Sequence, residues 1–107
     1  NVVAFEKETM DKLGLIPEIA SRYRATYFSH IIGGYAAGYY SYLWAEVLDT
    51  DAFEAFKEHG VFDKNTADSF RKNILEKGGT EDPMTLYRGF RGADPSLEPL
   101  LKNRGLK

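Results

Sequence analysis

The chain has 107 residues, enough for one domain with a modest core, and its 43% hydrophobic and 28% charged content is that of a folded globular protein. A net charge of −2 with no basic cluster gives no reason to expect a nucleic-acid partner. With no cysteine there are no disulfides and no thiolate ligands; this fits a reducing compartment, and a cytoplasmic location is expected.

In chain order, Val2 to Leu13 reads as a helix. Val2, Phe5, Met10 and Leu13 supply apolar positions, while Glu6, Lys7, Glu8, Asp11 and Lys12 supply the wet side. Gly14 is a plausible stop, and Pro17 can open a short helix. Arg22 and Arg24 bracket Tyr23, a pattern that can grip a carboxylate or simply sit solvated. Thr26 to Ile32 is open between helix and extended chain. Gly33-Gly34 then breaks any regular element and leaves peptide N–H groups open to close approach.

From Ala25 to Ala45 there is no formal charge, and five of the seven tyrosines fall between Tyr27 and Tyr42. The run is long enough to raise a membrane span, but its glycines, tyrosines, serines and His30 argue against one, and no membrane partner is expected. On a helix from 35 to 48, at about 100° per residue, Tyr35, Tyr39 and Tyr42 form one stripe that continues into Glu46 and Asp49. Tyr40, Leu43, Trp44 and Val47 form the core face, and Gly38, Ser41 and Ala45 a side of small residues. Phenols on a polar face suit a cleft wall that donates hydrogen bonds. A plain amphipathic helix with tyrosines at the core boundary is the alternative.

Asp49 or Thr50 can cap a continuation from Asp51 to His59, with Phe53 and Phe56 on one face, Gly60 as the stop and His59 on the surface. Asp63 caps a helix from Lys64 to Lys77, with Ala67, Phe70 and Ile74 inward and Gly78-Gly79 closing it. Asp82-Pro83 opens a helix carrying Leu86, Tyr87 and Phe90, stopped near Gly92. Asp94-Pro95 opens a last one carrying Leu97, Leu100 and Leu101. No strand-like alternation appears, so the expected fold is all-α: a bundle of short helices in one domain over residues 1–107.

The chemistry is one-sided. There is no His-Glu-x-x-His pair, no phosphate loop, no nucleotide fingerprint and no nucleophile elbow. Phenols, an imidazole and glycine N–H groups can stabilise developing negative charge, but they activate water poorly.

The run Y-F-S-H-I-I-G-G-Y-A-A-G-Y-Y-S-Y-L-W-A-E-V-L is followed by D-A-F-E-A-F, G-V-F-D, R-K-N-I-L-E-K-G-G-T-E-D-P, L-Y-R-G-F-R-G and P-L-L-K-N-R-G-L. In that order these segments resemble the C-terminal part of the thimet oligopeptidase-like zinc metallopeptidases, with bacterial peptidyl-dipeptidases and oligopeptidase A among them. The resemblance covers nearly the whole chain from Ala4. It implies the helical C-terminal part of a larger zincin that hydrolyses short oligopeptides. It implies His30 approaching the scissile peptide, and Gly33, Gly34 and Tyr35 in a flexing substrate loop. It implies Tyr39 as a second substrate-side tyrosine and Tyr42 as the donor to the tetrahedral oxyanion. The family's zinc ligands have no counterpart in these residues. Zinc is therefore expected in the parent enzyme and none in this segment, which by itself should be inactive. The start at Asn1 rather than methionine fits a piece of something longer. The expected partners are an oligopeptide substrate and the remainder of the same enzyme, with self-association of the isolated piece. The rival expectation is an independent helical interaction module with a tyrosine-lined docking face.

Overall fold

A computed structural model describes residues 1–107, all helix, turn and coil, without a strand. The chain forms two compact units, Asn1–Ser41 and Tyr42–Lys107. No helix is long and apolar enough to cross a membrane.

In the first unit, α1 (Val2–Lys12) starts on Asn1, whose Oδ1 accepts hydrogen bonds from the Val3 and Ala4 N–H groups. Lys7–Asp11 and Glu8–Lys12 ion pairs run along its wet side at the favoured i, i+4 spacing. Gly14 ends it with φ +64°. Pro17 opens no helix: residues 13–28 are turns and coil, closed locally by an Ile19 N–H bond to the Ile16 carbonyl. The open stretch before the glycines resolves into a single helical turn, α2 (Ser29–Ile32). No residue of this unit is fully buried.

The tyrosine segment is not one helix. Ala36–Tyr40 winds as a 3-10 turn, and only from Ser41 does the chain become α3 (Ser41–His59). A 3-10 turn advances about 120° per residue, so the α-helical i, i+4 spacing expected for Tyr35 and Tyr39 does not apply, although their rings still meet at 6.1 Å. The expected core face largely fails too. Val47 is buried, whereas Tyr40, Leu43 and Trp44 are exposed, because periodicity shows which residues share a face but not what covers it. Gly38 has nothing close to it, so no helix uses the small-residue side there.

In the second unit α3 runs unbroken through Asp49 and Thr50, and Thr50 donates its hydroxyl back to the Glu46 carbonyl at 2.7 Å instead of capping. After Gly60 (φ +109°), Asp63 caps α4 (Lys64–Phe70), its Oδ2 accepting from the Thr66 N–H at 2.7 Å. The helix loosens into a π turn over Arg71–Leu75, two residues short of the expected end. Thr66 is the buried position of this helix and Ala67 is exposed, a one-residue slip from the sequence reading. Asp82 caps α5 (Pro83–Arg91), accepting from the Thr85 N–H at 3.0 Å, and Gly92 stops it in the left-handed conformation. The last helix, α6 (Glu98–Asn103), does not start at Asp94-Pro95. Asp94 is held by Arg88 at 2.5 Å, and Pro99 takes the first-turn position instead.

The core of this unit is made by Val47, Ala52 and Ala55 of α3, Leu86 and Tyr87 of α5, and Leu100 of α6. Phe56, Phe70 and Phe90 meet beside it, with centroids 5.1–6.3 Å apart, in the range where aromatic edges and faces attract. Gly89 lets α5 approach closely, since a Cβ there would stand 3.4 Å from the Asn73 side-chain oxygen. Asp51, 5% exposed, is also buried here; it accepts a 2.6 Å hydrogen bond from the Tyr87 hydroxyl and lies 3.5 Å from the Arg91 guanidinium. Arg91 grips Glu58 through two bonds of 3.0 and 2.8 Å.

The Asp63 cap makes a pH prediction. Its bond from the Thr66 N–H, then that residue's hydroxyl, holds the Asp63 carboxyl below its ordinary value. A depressed carboxyl stabilises the fold above its unfolded-state value, and that contribution disappears as pH falls through the folded one. Urea midpoints should therefore drop on acidification through the carboxylate range, and Asp63→Asn, a cap without a titration, should show a shallower drop.

Candidate functional site

Gly33 and Gly34 separate α2 from the 3-10 turn, and this break folds four rings together. Phe28 lies 5.8 Å from His30 and 4.7 Å from Tyr39; His30 lies 5.9 Å from Tyr35 and 5.7 Å from Tyr39. Tyr35 and Tyr39 meet edge to face at 6.1 Å. The turn is tight: Gly38 N–H bonds the Tyr35 carbonyl at 2.7 Å, and Ala36 takes φ +45°. A Cβ on Gly33 would come within a tight 3.3 Å of the Ser29 carbonyl. Its own N–H is committed to that carbonyl at 2.8 Å, so of the expected glycine donors Gly34, in open space, is the better placed.

His30, Gly33, Gly34, Tyr35 and Tyr39 are thus one cluster in the first unit. Tyr35 is 43% exposed, Tyr39 half-buried and His30 exposed. Tyr42 is the first residue of the second unit and is 51% exposed. None of the three tyrosines is sealed in a core. The sequence reading missed Phe28, which touches both His30 and Tyr39 and also stands 5.1 Å from Tyr23. Its one available signal was its place two residues ahead of His30.

Next to the rings is a cavity of about 490 Å³ bordered by Glu6, Ser21, Arg22, Tyr23, Phe28 and Tyr39. Charge on its border comes only from Glu6 and Arg22, because residues 25–45 carry none. Chemically this wall offers an imidazole and phenols as hydrogen-bond donors beside an apolar hollow. No three His, Cys, Asp or Glu side chains converge as metal ligands, so the residues present do not fit a zinc site. His59, at the far end of α3, is exposed, as the sequence reading has it.

Comparison with known proteins gives this wall a context. The chain is 57% identical to oligopeptidase A of Escherichia coli over 81 residues, covering 75% of this chain and 12% of that protein. It is 45% identical to dipeptidyl carboxypeptidase of Escherichia coli over 104 residues, 96% of this chain and 15% of that one. It is 49% identical to a probable cytosolic oligopeptidase A of Arabidopsis thaliana over 100 residues, 89% and 14%. The chain therefore spans about one seventh of the length of these relatives. A free-standing interaction module is not favoured by such matches. The sequence profile of peptidase family M3 runs from residue 1 to residue 106, and with near-complete coverage of that kind the chain belongs to peptidase family M3.

Proposed function

We propose that this segment is one wall of the substrate cleft of an M3 metallopeptidase that hydrolyses short oligopeptides. The observation that carries the reading is the aromatic cluster of His30, Tyr35 and Tyr39 behind a Gly-Gly break, in a chain matched to the family almost end to end. In this reading Tyr42 donates its hydroxyl to the oxyanion of the tetrahedral intermediate, and His30 is a donor that approaches the scissile peptide. Such donors act on charge that exists only in the transition state, so they lower the barrier more than they tighten substrate binding. Gly34 allows the loop to approach the peptide backbone closely, with Gly33 shaping the turn. Tyr35 and Tyr39 press their rings against the substrate. The water-activating base and the zinc ion are held elsewhere in the enzyme, since these residues supply ligands for neither.

The names of the relatives support the substrate class: oligopeptidases, and a carboxypeptidase that releases dipeptides. The test is hydrolysis of short oligopeptides by the M3 polypeptide that carries this segment. The expected result is cleavage by that polypeptide and none by residues 1–107 alone with added zinc. Turnover by the isolated 107 residues would show that the segment contains its own catalytic base and overturn the assignment.

A further inference from the structure

Two charged groups of the first unit, Glu6 and Arg22, border the cavity, and they are not equivalent. Arg24 Nη1 stands 3.6 Å from Glu6 Oε1, and the Glu6 side chain is only 13% exposed. Neither Glu6 oxygen has a hydrogen-bond partner. Its charge is therefore answered by Arg24 through space. Arg22 is different. It has no carboxylate in ion-pair range, and its guanidinium lies over the Tyr23 ring, 5.2 Å from the centroid. With Glu6 answered by Arg24, Arg22 is the border charge left without an opposite charge, and it favours an anion.

The surroundings narrow the anion. Arg22 shares the cavity border with Ser21, while Tyr23, Phe28 and Tyr39 make the rest an aromatic hollow. A guanidinium offers a planar pair of donors matched to a carboxylate, and the face of Tyr23 favours the cation at this position. At about 490 Å³ the hollow is in the range that takes small-molecule-sized ligands, here an apolar side chain next to its carboxylate.

We propose that Arg22 is a carboxylate-recognition residue: with Ser21 and the hollow formed by Tyr23, Phe28 and Tyr39, it binds the carboxylate end of a peptide, while the Glu6–Arg24 pair neutralises itself beside it. The proposal rests on the peptidase reading above and adds the group by which the peptide is held. A carboxylate can come from the C-terminus or from an acidic side chain, so the probes must separate the two.

The experiment uses the M3 polypeptide carrying this segment and three versions of one short peptide. One has a free C-terminus, one is amidated, and one is amidated with a glutamate in place of a neutral residue. Affinity is measured by calorimetry and kcat/KM by hydrolysis. The expected result is that the free acid is preferred over the amide by about ten- to hundredfold. Arg22→Ala should bring that ratio close to one, and Arg22→Lys should keep part of it. If the glutamate amide recovers affinity that Arg22→Ala removes, a side-chain carboxylate is the group recognised. A preference that survives Arg22→Ala, or no preference for either carboxylate in the unmodified enzyme, overturns the proposal. Failure of hydrolysis with the acid–amide binding difference intact would instead sink the peptidase reading alone.

Discussion

In the peptidase carrying this segment, Tyr42→Phe should lower kcat by about 10²–10³-fold with little change in KM. The substitution removes one hydroxyl and keeps the ring, so the α3 backbone and local packing stay as they are. Tyr42 is half exposed at the start of α3. The loss should fall on the chemical step, with the urea midpoint of the variant measured beside it. A lost oxyanion donor is worth about 2.7–4 kcal/mol of barrier, which is the rate range given. Steady-state kinetics on the pure variant decide it. Activity equal to that of the unmodified enzyme would remove Tyr42 from the mechanism, and a rise in KM alone would make it a ground-state contact.

The second large effect is on stability. Tyr87→Phe should destabilise the second unit by about 1–3 kcal/mol, because it leaves a buried acceptor without its donor. Asp51 is buried between α3 and α5, and the Tyr87 hydroxyl at 2.6 Å is its hydrogen-bonded partner. Burial, then the bond to Asp51, pushes the Tyr87 phenol far above its ordinary value, so the phenol stays a donor throughout the working pH range. Arg91, 3.5 Å away, is drawn off toward Glu58 and does not replace it. Urea unfolding of the 107-residue chain measures the change. Replacing Asp51 and Tyr87 together by apolar residues should cost less than the sum of the single changes, and additive costs would show that the pair is not coupled.

Much of this architecture is local chemistry and was therefore legible. Asp63 and Asp82 cap their helices because a short carboxylate three residues ahead of an N–H satisfies it without help from the rest of the fold. Asp94 has the same Asp-Pro signature and fails, because Arg88, six residues earlier, takes its carboxylate. The helix expected through the phenols also stops short. Helical spacing was carried back from α3 into Tyr35–Tyr40, where no charged i, i+4 pair supports an α-helix and the chain tightens into a 3-10 turn. What brings Tyr35 and Tyr39 to His30 is instead the bend at the glycines, which sequence marks as a break without giving its direction. The burial of Asp51 has no local signal in the sequence, since its partner lies 36 residues further on. The roles of the candidate residues came from motif resemblance; the phenols, His30 and the glycine pair also stand out in the run itself, and Phe28 does not.

The account turns on the claim that this wall binds the transition state more tightly than the substrate. A peptide analogue with a tetrahedral phosphinic centre measures that difference directly, set against the dipeptide product. The expected result is that Tyr42→Phe weakens the analogue about hundredfold while the product's affinity changes by no more than about a factor of two. An analogue bound equally well by both enzymes would contradict the account.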